Sequence, residues 1–160
     1  YNHFVTDREE SFDQPGTPEE PKGHYIFDKP EPLWNFGHGK SYTTFDYVDC
    51  ALSDTLLVAS DTLKVSVTIK NTGRRDGKEV VQLYVRDKVS TVATPIQQLK
   101  AFQKVLIKPG ESQCVELSLP IAELALYNAK MEEVVEPGDF EIQIGAASDD
   151  IRFKKTITIN

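Results

Sequence analysis

A chain of 160 residues has room for one ordinary domain with a sizeable core and little besides. Hydrophobic residues make up 39% and charged residues 27%, a globular balance that excludes wholesale disorder. The net charge of −7, with the 18 Lys and Arg scattered along the chain, excludes a footprint for nucleic acid or an anionic membrane surface.

No apolar run approaches the roughly 20 residues of a membrane-spanning helix, and no charged-then-apolar leader resembles a signal peptide. The single methionine is Met131, so Tyr1 is not an initiator residue and the sequence is expected to be a piece of a longer chain. Nothing in it fixes a cellular location.

The first stretch reads as an irregular leader. Pro15, Pro18, Pro21, Pro30 and Pro32, five of the nine prolines, fall there, together with an acidic run from Asp7 to Glu20. Proline fixes φ and removes ladder donors, and no period of 2 or 3.6 is sustained, as expected of a docking arm. Residues 1–44 are assigned to this leader and 45–160 to a folded domain.

Gly37-His38-Gly39 lacks the third glycine, preceding strand and following helix of a dinucleotide site, so it reads as a tight turn allowing close backbone approach. Tyr25, Phe27, Trp34, Phe36, Tyr42, Phe45 and Tyr47 crowd the same region. They suit either stacking on sugar rings or anchoring the leader on a neighbouring domain, and a proline-rich arm favours the anchor.

Beyond Phe45 the period becomes 2. Leu63, Val65, Val67 and Ile69 alternate with polar residues, the clearest strand in the chain. Residues 71–77 predict a turn, and Val81, Leu83 and Val85 then share one face with Gln82, Tyr84 and Arg86 on the other.

A strand is predicted from Leu99 to Ile107, with a phase slip between Phe102 and Val105. Lys108-Pro109-Gly110-Glu111 suits a type II turn, and strand Gln113–Leu119 follows. Residues 120–126 predict one short helical turn. Glu136-Pro137-Gly138-Asp139 reads as a second Pro-Gly turn, before strands carrying Phe140, Ile142 and Ile144 and then Ile151, Phe153, Ile157 and Ile159.

About seven short strands with regular turns predict an all-β, antiparallel immunoglobulin-like sandwich. Trp34 precedes both cysteines, so the Cys-Trp-Cys order of antibody domains is absent and the fibronectin type III kind is expected. Cys50 and Cys114 show no metal spacing and are taken as unpaired packing residues.

The chemistry of a hydrolase is not evident. A glycosidase needs two carboxylates held across a cleft, whereas the acidic residues beyond the leader fall at turns or on solvent phases, such as Glu116 and Glu141. His3, His24 and His38 all lie in the leader, and no serine or cysteine sits in a nucleophile elbow. No catalytic residue, metal or cofactor is expected in this chain.

Several blocks carry a resemblance. Tyr1-Asn2-His3, Leu33-Trp34-Asn35-Phe36-Gly37-His38-Gly39-Lys40-Ser41-Tyr42-Thr43-Thr44-Phe45, residues 67–73, residues 76–85, residues 99–105 and Val135-Glu136-Pro137-Gly138-Asp139-Phe140 resemble the C-terminal region of glycoside hydrolase family 3. The match covers almost the whole chain. His38 and Lys40 depart from the usual Tyr and Leu of that family, and Glu133 stands where an aromatic is common.

The resemblance implies a fibronectin type III-like accessory domain, non-catalytic by itself, of a retaining exo-acting β-glucosidase or β-xylosidase. The family's nucleophile belongs to an N-terminal barrel that needs about 250 residues. The implied partners are the catalytic domains of that parent, with an oligosaccharide at the edge of its active site.

Trp34, Phe36, His38 and Tyr42 are the candidate docking or outer-subsite residues, and a periplasmic or secreted parent is compatible with the likeness. The competing readings are an autonomous carbohydrate- or protein-binding module and a purely adhesive sandwich.

Overall fold

The computed structural model describes residues 32–92 and 94–160, so the expectations for residues 1–31 lie outside the described residues. The chain divides into two units, residues 1–36 and residues 37–160. Within the first, Trp34 and Phe36 are exposed.

The second unit is a sandwich. One antiparallel sheet has the order β1-β3-β6, formed by β1 (Phe45–Leu52), β3 (Thr62–Asn71) and β6 (Ser112–Pro120). The other has the order β2-β10-β9-β4-β5, formed by β2 (Leu56–Leu57), β10 (Asp150–Ile159), β9 (Gly138–Ala147), β4 (Gly77–Asp87) and β5 (Gln98–Ile107).

Its pairings are antiparallel, except that β2 runs parallel to the end of β10. A small hairpin joins β7 (Leu126–Tyr127) to β8 (Glu133–Val134). Seven of these strands are long, as the turn spacing predicts.

Alternation builds the core. Leu63, Val65, Val67 and Ile69 of β3 are all fully buried, facing Val81 and Leu83 of β4 and Ile142 and Ile144 of β9. Each such aliphatic side chain contributes about 1.5–3 kcal/mol when fully buried.

Glu111 N–H donates to the Lys108 carbonyl at 3.0 Å and Gly110 has φ +76°, which realises the first Pro-Gly turn. The short helical turn expected after Pro120 is a 3-10 turn, Ile121–Leu124. Among the described residues no helix is long and apolar enough to cross a membrane.

Three sequence expectations are corrected. The irregularity in β5 is at Lys100, where Leu83 and Tyr84 oppose Ala101 and Leu99, so Phe102 keeps the outward phase and there is no slip beyond it. Gly138 opens β9 opposite Ile159 rather than closing a turn.

Cys114 is exposed rather than part of the core, because it follows the outward phase of β6; Cys50 is buried, and both are free thiols. Gln82 and Tyr84 lie on the face of β4 opposite Val81 and Leu83, as their phase predicts, and are buried there.

Candidate functional site

The segment that brings the chain into the sandwich is fixed at two places. At the first, the side chain of Asn71, fully buried at the end of β3, makes four hydrogen bonds. Its amide nitrogen donates to the carbonyls of Arg75 and Ile107, both at 2.8 Å, and its oxygen accepts from the Thr43 hydroxyl at 2.7 Å and Gly73 N–H at 3.0 Å. Every polar atom of the amide is therefore used.

Thr72 N–H donates to the Thr44 carbonyl at 2.9 Å, extending the contact. A Cβ added at Gly73 would stand 2.1 Å from Thr43 Oγ1, and one at Gly77 would stand 2.2 Å from Thr43 Cγ2. The two glycines leave the space in which Thr43 lies, which is why residues 41–45 and 71–77 function as one unit of structure.

The second anchor is on the outer face of β4. Gln82 donates from Nε2 to the Gly37 carbonyl at 3.0 Å and to the Ala146 carbonyl, while its Oε1 accepts from the Tyr84 hydroxyl at 2.5 Å.

Gly37 has φ +81°, and a Cβ there would fall 2.1 Å from Gln82 Oε1 and 2.6 Å from Tyr84 Oη. Glycine is required on both counts. Burial, reinforced by the negative charge of Asp149, pushes the Tyr84 phenol up to about 12, so it stays a hydrogen-bond donor at neutral pH.

Gln143 of β9 lies beside Tyr84 in register. Its Nε2 donates to Glu141 Oε1 at 2.6 Å, but its Oε1 is buried without a partner in a side chain whose residue is only 3% exposed.

A third polar group bridges the sheets along their open side. Tyr47 of β1 donates its hydroxyl to Glu79 of β4 at 3.0 Å, and Arg152 of β10 lies over the Tyr47 ring at 5.8 Å while pairing with Asp150 at 2.6 Å. Desolvation raises the Glu79 carboxyl above its ordinary range, with the Tyr47 hydrogen bond and Arg152 pulling the other way. Burial and the Glu79 charge also raise the Tyr47 phenol. Among the described residues no group of three or more His, Cys, Asp or Glu could hold a metal ion.

The four residues singled out by sequence are divided: Trp34 and Phe36 fall in the first unit, His38 and Tyr42 in the second. His38 is exposed and Tyr42 is 92% exposed, so neither is a core residue. Gln82, Tyr84, Gln143 and Asn71 were not picked out. For the two glutamines and Tyr84 the signal is compositional, since Val81–Val85 and Ile142–Gly145 place no charge on either face of two neighbouring strands.

Residues 79–148 match the fibronectin type III-like domain family. The sandwich is a fibronectin type III-like domain. The chain is 44% identical over 133 residues to a β-xylosidase of Formosa agariphila, covering 82% of this chain and 18% of that protein. It is 36% identical over 151 residues to a periplasmic β-glucosidase of Salmonella typhimurium, covering 92% and 19% respectively.

The solved structure of β-glucosidase 3B from Thermotoga neapolitana in complex with α-D-glucose superposes with a TM-score of 0.73 at 44% identity, over 81% of this chain and 18% of that one. This chain thus spans about a fifth of the length of the curated relatives it matches. The fibronectin type III-like domain and its linker are the counterpart of the C-terminal region of glycoside hydrolase family 3 enzymes.

Proposed function

We propose that this chain is the non-catalytic accessory part of a retaining, exo-acting β-glycosidase of the β-glucosidase or β-xylosidase type, where it scaffolds the catalytic domains. The observation that carries the reading is the doubly anchored segment Gly37–Thr44. A linker gripped by Asn71 at one end and Gln82 at the other transmits position from whatever precedes it to the sandwich, and the relatives that share the sandwich are glycosidases.

In such a parent, the chemistry is a double displacement through a covalent glycosyl-enzyme intermediate, performed by two carboxylates of the catalytic domains. Trp34, Phe36, His38 and Tyr42 serve as docking or outer-subsite contacts in this reading.

The test compares the parent with and without residues 37–160, following thermal inactivation and hydrolysis of an aryl β-glycoside, alongside the isolated chain. A scaffold predicts that the truncated parent inactivates at lower temperature and that residues 1–160 release no nitrophenol above background. Saturable quenching of Trp34 fluorescence by cello- or xylo-oligosaccharides in the isolated chain would instead establish an autonomous binding module.

A further inference from the structure

The turn from β3 to β4 and the turn from β5 to β6 close the same end of the sandwich. Asn71 N–H donates to the Glu111 carbonyl at 3.0 Å and Gly110 N–H to the Asn71 carbonyl at 2.9 Å, beside the bonds of the Asn71 side chain. Cations far apart in sequence are thereby gathered in one place.

Arg74 and Arg75 in the first turn, Lys108 in the second, and Lys78 and Lys104 on the adjoining ends of β4 and β5 are all exposed. The ion pairs among the described residues are Arg152 with Asp150 and Lys154 with Glu141, so none of these cations is neutralised by one. The exposed carboxylates beside them are Asp76 and Glu111. Glu79 is turned inward onto Tyr47, and Asp46 stands opposite Lys70 on the other sheet.

On a chain of net charge −7 this is a local reversal of sign. Screening keeps it local: at physiological salt, fields decay over about 8 Å, whereas β3, of 10 residues, spans about 33 Å. A ligand at this end meets the cations rather than the charge of the whole chain.

Apolar surface accompanies them. Phe102 opposes Gln82, Lys104 opposes Val80 and Leu106 opposes Lys78, so Phe102, Lys104 and Leu106 follow one another on the outward phase of β5. Phe102 is 67% exposed and Leu106 52%.

We propose that this end of the sandwich, from Phe102 round to the Arg74–Arg75 turn, binds an acidic polysaccharide, a chain of sugar rings that carry carboxylates. The proposal goes beyond the accessory-domain reading and does not depend on it.

The mixture of groups selects that ligand. Uronate carboxylates pair with the lysines and arginines, while the hydroxyls between them donate to Asp76 and Glu111. The C–H face of a sugar ring finds a platform in Phe102, for which a purely electrostatic patch has no use. Duplex nucleic acid presents about one phosphate per 1.7 Å of its axis, and so dense an array is repelled by the two carboxylates among the cations.

The experiment is isothermal titration calorimetry of residues 1–160 with a galacturonate oligomer, with its neutral methyl ester, and with duplex DNA. The double variant Lys104→Glu with Lys108→Glu is compared with Lys64→Glu and Lys130→Glu. The latter pair makes the same change of net charge at the other end, where Lys64 opposes Ser118 and Lys130 lies between β7 and β8. All four lysines are exposed, and unchanged urea midpoints confirm that each variant is folded.

The expected result is saturable binding of the acid and none of the ester, weakened about tenfold or more from about 0.1 M to 1 M salt, as the screening length falls from about 10 Å to 3 Å. The first double variant should weaken binding about tenfold or more and the second less than about twofold. Phe102→Ala should weaken it about threefold or more.

No binding of the acid, an ester that binds equally well, or equal losses in the two double variants would overturn the proposal. Tighter binding of DNA would also overturn it and assign this end to nucleic acid. Each of these results leaves the accessory role standing.

Discussion

Replacing Asn71 tests whether the junction between linker and sandwich is held as described. Asn71→Ala removes four side-chain hydrogen bonds at once, and leaves the carbonyl of buried Ile107 and that of Arg75 without their donor and Gly73 N–H without its acceptor. At about 1 kcal/mol for each bond lost, and more where an orphan group is buried, the loss comes to about 3–5 kcal/mol.

That is a large part of the 5–15 kcal/mol or so by which domains are stable. With a urea slope of about 2 kcal/mol per M, the midpoint should fall by about 2 M at unchanged slope. The assay is urea unfolding of residues 1–160 followed by far-ultraviolet circular dichroism, since Trp34, the only tryptophan, lies outside the sandwich unit.

Asn71→Asp should be worse than Asn71→Ala at neutral pH, because a carboxylate would face the two carbonyls that now receive N–H donors. Its deficit should shrink as acid protonates it. An alanine variant within about 1 kcal/mol of the native chain, an effect of ordinary surface size, would refute the assignment of Asn71 as the junction's centre.

Other outcomes follow from the same geometry. Gly73→Ala should destabilise by about 1–3 kcal/mol, because its Cβ would overlap Thr43 Oγ1, and amide exchange should rise in residues 41–45; unchanged exchange there would contradict the packing described. Ile142→Ala opens a cavity at the centre of the core and should lower stability by about 2–5 kcal/mol in the same urea assay.

Cys114→Ser should be neutral to within about 0.5 kcal/mol, as expected of an exposed position. For Glu79, burial raises the folded carboxyl, so the stability tied to its protonated form is complete below the unfolded value and is lost as pH rises through the raised one. Glu79→Gln should therefore flatten the decline in stability just above the ordinary carboxylate range, and an identical pH profile would argue against a desolvated Glu79.

Strands were legible wherever one face is solvated. Leu63 to Ile69 alternates because the outward side of β3 carries Lys64, Ser66 and Thr68, so period alone locates the core face. β4 defeated the same logic, since Gln82 and Tyr84 look like solvent-facing residues and are hydrogen-bonded beneath Gly37.

Polarity does not distinguish a solvated side chain from a satisfied buried one; only the partner does, and Gly37 lies 45 residues away from Gln82. The same limit applies at Asn71, which reads as a turn residue and is a buried hub joining three segments. The bulge at Lys100 left no mark either, because outward Phe102 is as apolar as the inward residues around it. The Gly37 turn, by contrast, was readable from its glycine alone, and the contact with Gln82 and Tyr84 supplies the reason.

The sheet margins carry a consequence for solubility. β1 is bulged at Val48, β5 is bulged at Lys100 and carries Lys104 further along, and β2 is two residues long. The remaining margin, β6, terminates at Pro120 and runs beside β5.

Broken, charged or stunted margins are poor templates for strand addition by another chain. A sandwich cut loose from its neighbours by proteolysis thus offers little for a growing fibril to copy, and should persist as dispersed single molecules even though Phe102 and Leu106 stand exposed on β5.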